Sequence, residues 1–494
     1  MKVLFYYRGI EHLGIEYLMS SLKERGHQYD LIFDPGLDDN LFLRLKFMKG
    51  LNQNKYLIEK AKRFNPDILA LSIPTNLYPF FNEMLPALKK ELSVPVIAGG
   101  PHVWALPEYV LQNDNIDMVC IGEGEEALPE LLDKMEKGED IYDTQNIWFK
   151  KDGRIIKNKR RNLIQDLDKL PFPDKTLFYE YGCFYDNLEI ITGRGCPFKC
   201  TFCNIHLQRK LNRGKGKFLR RRSVANVIEE LKFQLNKYDV KYVSFHDDTF
   251  TTDMQWIEEF TEVYRKEINL PFYCFVFPRT VNRRVISMLK SANCMQIFLG
   301  VDSGDEDIRR DLLKRPMSDE EILSAGRIIK EHKISLQAST LFGLPGESAE
   351  SMWKTLSLAE KIAPDQVSGY IFYPFPETEL YHYSVENGYL GEEEIHMVKE
   401  GIGGYHHASI LKHPHKKLAA TLSKFIPVYN KAPSFIKPVI RWLMAREQEK
   451  LALILYVISI PVTFPFLGIE GIKVTLRMMW RAYKMRDKLA VQGS

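Results

Sequence analysis

The chain is short of cysteine, of net charge and of long uncharged runs, and each shortage narrows what it can be. Only seven cysteines occur in 494 residues, three of them at 196, 200 and 203 and the rest (Cys120, Cys183, Cys274, Cys294) scattered. That distribution excludes a disulfide framework. A formal net charge of +4 is too small to demand an acidic partner. No internal repeat or low-complexity tract is present. Met1-Lys2-Val3-Leu4-Phe5 runs straight into strand-like sequence without a signal-peptide pattern, so a reducing cytoplasm is expected. What is there is an ordinary globular composition, 45% hydrophobic and 27% charged, long enough for two or three domains.

Residues 1–137 alternate short apolar runs (Val3–Tyr7, Asp30–Phe33, Ile68–Ile73, Val94–Ala98, Met118–Ile121) with helical periodicity at Leu13–Arg25, Phe80–Leu92 and Glu125–Lys137. This order predicts an α/β domain with a doubly wound parallel sheet, whose ligand sits over the carboxyl ends of the strands. Three loops at that end are candidate ligand contacts: Pro74-Thr75-Asn76, Gly99-Gly100-Pro101-His102 and Gly122-Glu123-Gly124-Glu125. Plain turn chemistry is the competing reading of each. Residues 138–185 read as a connector ending in the strap Leu170-Pro171-Phe172-Pro173-Asp174. From Leu188 a second series of six strands and five helices predicts a partial (β/α)6 barrel over residues 186–385, reactive at the carboxyl ends of its strands.

Directly after the first of these barrel strands comes Cys196-Pro197-Phe198-Lys199-Cys200-Thr201-Phe202-Cys203. The spacing suits three corners of a [4Fe–4S] cube with the fourth iron free for chemistry. A zinc knot is the alternative, with Cys183 or His206 available as its fourth ligand. The eight basic residues between Arg209 and Arg222 read either as a nucleic-acid patch or, preferably, as a solvated loop near the cysteines. His206, His246, His382, His406 and His407 stand alone in the sequence, and His246, at a strand end, is best placed to meet a proton or a substrate.

Residues 386–494 are expected to be helical. Within them, 451–469 carries no charge but is interrupted by Pro461 and Pro465 and flanked by basic residues. That reads as a shallow interfacial anchor on the inner face of a membrane, against the alternative of core helices closing the barrel.

The cysteine run, in the context Thr192-Gly193-Arg194-Gly195-Cys196, resembles the radical S-adenosylmethionine (radical SAM) enzymes that carry an N-terminal cobalamin-binding domain. Arg25-Gly26-His27, the two glycine turns, Phe245-His246-Asp247-Asp248-Thr249-Phe250, Asp302-Ser303-Gly304 and Phe342-Gly343-Leu344-Pro345-Gly346-Glu347 are similar to further motifs of that group, over roughly residues 1–385. The resemblance implies a [4Fe–4S] cluster on Cys196, Cys200 and Cys203, S-adenosylmethionine, and cobalamin held by residues 1–137. It implies reductive cleavage of SAM to methionine and a 5′-deoxyadenosyl radical, which takes hydrogen from an unactivated carbon. By the same resemblance Phe202, Asp248, Asp302, Ser303 and Gly343 would contact SAM. Asp247 and His246 are the catalytic candidates, and Pro74, Thr75, Asn76, Gly99, Gly100, His102, Glu123 and Gly124 would contact cobalamin. The Asp-x-His-x-x-Gly run that supplies a cobalt-ligating histidine is missing: Ile10 and Ile15 flank His12 in its place, so no such ligation is expected. Methylation of a lipid, isoprenoid or tetrapyrrole-like substrate is the expected activity. Cyclisation without methyl transfer and a non-catalytic sensor are the alternatives. Expected partners are a flavodoxin- or ferredoxin-type reductant and no nucleic acid.

Overall fold

The computed structural model describes residues 1–36, 54–404 and 409–463, with 473, 474, 476–478 and 480 beyond them. Part of 451–469, including Pro465, and His406 and His407 lie outside the described residues.

The first sheet runs in the order β2-β1-β3-β4-β5-β6-β7. Its strands are β1 (Lys2–Arg8), β2 (Gln28–Asp34), β3 (Ile68–Ser72), β4 (Val96–Gly99), β5 (Met118–Cys120), β6 (Ile147–Lys151) and β7 (Arg154–Ile156). β1 to β5 pair in parallel, as their continuous apolar runs require of strands covered on both faces. Residues 147–156, read from sequence as connector, instead form an antiparallel hairpin that extends this sheet beyond β5. The order places a topological switch between β1 and β3, where such sheets hold their ligands.

The strap after the hairpin is fastened from both sides. Ser20 Oγ donates to Phe172 O (2.7 Å), Tyr29 OH to Asp174 (2.6 Å), and Gln234 from the barrel donates to Pro173 O (2.9 Å). Lys175, at its end, is wholly buried and donates to Glu11 (2.5 Å) and Glu16 (2.8 Å). Burial works against its charge, but those two carboxylates hold its pKa raised.

After β8 (Asn187–Ile190) comes the short ribbon β9 (Gly193–Arg194) and β10 (Arg220–Arg221). The barrel continues with β11 (Tyr242–Phe245), β12 (Phe272–Val276), β13 (Cys294–Asp302), β14 (Ser335–Phe342) and β15 (Gln366–Ile371). β8 and β11 to β15 make one six-stranded parallel sheet in the order β15-β14-β13-β12-β11-β8. Alternation along the strands separates two faces. Leu188, Val243, Phe245, Cys274, Ile297, Leu336 and Val367 pack outward against the helices as one core. In register on the other face stand Glu189, Ser244, Tyr273 and Gln296, then Phe275, Phe298 and Gln337. The inner surface is therefore part aromatic, with Phe275 and Phe298 stacked at 4.6 Å, and part polar, with Gln296 bonded to Gln337 at 2.8 Å.

The helix Lys416–Lys431 packs along β15, and the helix Glu449–Thr463 packs on it in turn. Core packing therefore claims part of the C-terminal region. Among the described residues no helix is long and apolar enough to cross a membrane.

Candidate active site

The three cysteines occupy the loop after β8 and β9, at the carboxyl end of the barrel strands. Gly195 has φ of 92°, and a side chain there would bring its Cβ to 2.6 Å from Phe218 O, so only glycine makes this turn. The loop is then fixed by its surroundings. Arg209 donates to Cys196 O (2.7 Å) and Pro197 O (3.0 Å), Thr201 Oγ1 donates to Leu312 O (2.6 Å), and Phe198 stacks on Phe277 at 3.6 Å. Cys203 forms the N-terminal cap position of the helix Asn204–Leu211.

Thr249 Oγ1 stands 3.6 Å from Cys196 Sγ, and Arg315 Nη1 stands 3.4 Å from Cys200 Sγ. Burial pushes all three thiol pKa values up, that of Cys203 to about 12, while Arg315 works against the rise at Cys200. Without iron they are thiols, and iron must displace their protons to bind. The donor set fits a cube better than a single ion. Cys183, one candidate for the fourth ligand of a zinc knot, is buried in the core of the first domain, and His206 bonds Glu379 through Nε2 (3.1 Å). No trio of His, Cys, Asp or Glu among the described residues is gathered closely enough for one ion, whereas thiolates of a cube each take a different iron.

Around this loop the carboxylates divide by role. Asp248 is open to solvent at the rim. Crowding by protein and the adjacent Asp247 push its carboxyl up to about 6, against a hydrogen bond from the Gly195 amide. It is the one carboxylate of the His246-Asp247-Asp248 turn free to meet a ligand. Asp247, expected as catalytic, is instead buried and accepts from Thr192 N (3.1 Å) and Thr192 Oγ1 (2.7 Å), which locks the turn after β8. His246 borders the inner surface beside Phe275 (5.6 Å), and burial lowers its pKa to about 4, leaving a neutral ring. Asp302 ends β13 with φ of 62° and pairs with Arg315 Nε at 2.7 Å. A side chain held in that left-handed conformation marks a place where the fold overrides local preference. Ser303, expected as a ligand contact, is fully buried and its Oγ accepts from Asp305 N, so it faces away. Phe202 packs partly buried beside Leu313 and Leu344, and the Gly343 amide donates to Glu347 Oε2 at 2.7 Å.

On the facing domain, the loop after β1 at the switch point leaves Ile10 exposed (45%). His12 has both ring nitrogens engaged: Nδ1 accepts from Ile15 N (3.2 Å) and Nε2 lies 3.1 Å from Ser72 Oγ. Through the Ile15 bond His12 serves as the N-terminal cap of the helix Leu13–Glu24. Gly100 has φ of 99°, and a Cβ there would fall 2.7 Å from Ile73 N, so the turn after β4 sits tight against the backbone after β3. The Pro74-Thr75-Asn76 turn lies at the switch point as expected, with Thr75 buried. Gly99 ends β4. His102 is fully buried against Tyr78 (ring centres 4.6 Å apart), which makes it a packing residue rather than an open ligand contact.

Glu123 also departs from expectation, and informatively. Its carboxylate is filled by Arg194 (2.9 Å), Arg220 (2.8 Å) and the Ile164 amide (2.8 Å). Burial works to raise its pKa, but the two guanidinium groups hold it lowered. Arg194 also donates to Glu125 at 2.5 Å, beside Gly124 at the start of the helix Gly124–Lys137. The residue that precedes the Gly195-Cys196 turn therefore grips the last glycine loop of the first domain. Sequence reading missed Arg194 and Arg315, since a single arginine has no spacing to reveal its partner.

Two family models match the chain: the Radical SAM superfamily over residues 190–359 and the B12 binding domain over residues 7–132. An uncharacterized methyltransferase of Pyrococcus horikoshii is 28% identical, the match covering 76% of this chain and 79% of the relative. The anaerobic magnesium-protoporphyrin IX monomethyl ester cyclase of Rubrivivax gelatinosus is 22% identical, with 77% and 69% covered. The solved structure of the radical SAM methyltransferase TsrM from Kitasatospora setae, with cobalamin and a [4Fe–4S] cluster bound, is similar in fold at a TM-score of 0.64 and 15% identity, covering 78% of each chain.

Proposed function

The chain belongs to the cobalamin-binding radical SAM enzymes, and from that premise we propose that it methylates an unactivated carbon of a hydrophobic substrate. Its cofactors are a [4Fe–4S] cluster, SAM and cobalamin, which supply radical and methyl-transfer chemistry when bound. Cys196, Cys200 and Cys203 would hold the cluster. Asp248, beside the Gly195 amide, is disposed to take a ligand's ammonium group, while Arg315 sets a cation against the cluster loop and the buried Asp302.

One observation carries the reading: Arg194 ties the glycine loop at the β5 end to the cysteine loop, so the loops that would hold the two cofactors stand side by side. The stacked Phe275 and Phe298 on the inner surface of the barrel favour a flat or apolar substrate. A substrate of that kind would be met by a cytoplasmic enzyme at the inner face of a membrane, where contact through the C-terminal helices is expected. A flavodoxin- or ferredoxin-type protein would supply electrons.

The test is anaerobic turnover of the reconstituted enzyme with methyl-labelled SAM and lipid extract. A labelled apolar product with S-adenosylhomocysteine and 5′-deoxyadenosine supports methyl transfer. The likeness to the cyclase favours a second reading, ring formation without methyl transfer, which would give 5′-deoxyadenosine and an unlabelled product.

A further inference from the structure

We infer that the outward face of residues 435–442 docks on a bilayer carrying anionic phospholipid. The helix Lys437–Ala445 is apolar on two sides. Ile440 and Met444 turn inward and join the barrel core. Val439 and Trp442 of the helix, and Phe435 in the turn before it, turn outward and are 57%, 52% and 78% exposed. Leu451, Leu453 and Ile454 of the helix Glu449–Thr463 are exposed as well. Elsewhere among the described residues the exposed large apolar side chains stand singly, apart from Leu476 and Trp480, so this concentration calls for a covering partner.

The charge around the patch selects the partner. Residues 431–450 carry five cations (Lys431, Lys437, Arg441, Arg446, Lys450) against two carboxylates, Glu447 and Glu449. Glu449 is paired with Lys424 at 2.7 Å and Lys437 with Glu360 at 3.1 Å, which leaves Lys431, Arg441, Arg446 and Lys450 against Glu447. Arg446 lies over the Trp442 ring at 4.0 Å, so a cation sits at the border of the apolar patch. Tryptophan flanked by arginine and lysine, above aliphatic side chains, is the composition of a segment lying in a headgroup layer. A second copy of this chain would set the same cationic rim against itself, whereas an anionic headgroup layer complements it. The sequence pointed to 451–469 as the anchor; the outward patch moves the contact to 435–454.

This deepens the localisation reading above, and its test reads lipid binding rather than turnover, so a different substrate class would leave it standing. Full-length protein is sedimented with phosphatidylcholine vesicles, with and without phosphatidylglycerol. Binding is expected on the anionic vesicles and should be at least about tenfold weaker on the neutral ones. The triple variant Phe435→Ser/Val439→Ser/Trp442→Ser should lose binding on both by about tenfold or more. Arg441→Gln/Arg446→Gln should weaken only the anionic case, by roughly tenfold. These side chains are exposed, so circular dichroism and iron content should match the parent protein. Equal sedimentation of parent and triple variant overturns the inference. So does absence of vesicle binding with a concentration-dependent dimer that the triple variant abolishes, which would make this face a contact between copies.

Discussion

Replacing Arg194 with methionine probes whether the two domains are held by a specific charged clasp. The guanidinium bridges Glu123 (2.9 Å) and Glu125 (2.5 Å), with side-chain exposures of 19% for Arg194 and 8% for Glu125. Breaking a fully buried pair costs about 3–5 kcal/mol, because the partner is left desolvated and unpaired. A fully exposed one is worth about 0–1 kcal/mol. This clasp lies nearer the first limit, and Glu123 keeps Arg220 whereas Glu125 loses its partner. The expected cost is about 2–3 kcal/mol, scaled from those limits. The assay is a cycle of Arg194→Met, Glu125→Gln and the double variant, read by urea unfolding and by protease cleavage in the 138–185 segment. A coupling of about 2 kcal/mol, with the double variant close to Arg194→Met alone, is expected. Strict additivity, or no change in cleavage rate, would refute the clasp.

Changing any one of Cys196, Cys200 or Cys203 to alanine should remove the iron–sulfur absorption and reduce 5′-deoxyadenosine formation to background, with retention of either defeating the assignment. Glu347 is buried, and burial raises its pKa to about 8 despite amide donors at Gly343 and Leu344. A carboxyl raised on folding stabilises the fold below its unfolded pKa and loses that contribution as pH rises through about 8. Glu347→Gln should therefore show a shallower fall in urea midpoint between about pH 6 and about pH 9, a difference of roughly 2–3 kcal/mol. His12→Ala should cost about 1 kcal/mol as a lost helix cap. Electron paramagnetic resonance of the cob(II)alamin form should show no imidazole nitrogen coupling in parent or variant. A protein-derived nitrogen splitting in the parent would contradict the reading of the missing motif.

Much of this was legible in the sequence for a simple reason. Buried parallel strands must be continuously apolar, so β1 and β12 announce themselves, and three cysteines in one loop leave little choice of chemistry. The hairpin β6–β7 went unread because its strands are short and charged at the turn, Lys150-Lys151-Asp152-Gly153-Arg154, and look like linker. The helix Asn54–Phe64 was likewise missed. Ser303, Asp247 and Glu123 were identified by motif position, but motif position fixes where a residue sits and not which way its side chain turns. All three are consumed in holding the backbone that carries the open groups. Arg194 and Lys175 find their partners, and Arg315 its contact with Cys200, across 69 or more residues of chain, which no local pattern encodes.

The strap fastened by Ser20, Tyr29 and Gln234, with Lys175 locked beneath it, makes the domain seam a built part of the fold rather than a hinge. The two halves are stitched at points far apart in the chain, so neither can swing away without breaking several bonds at once, and the seam should open only as part of a wider local unfolding.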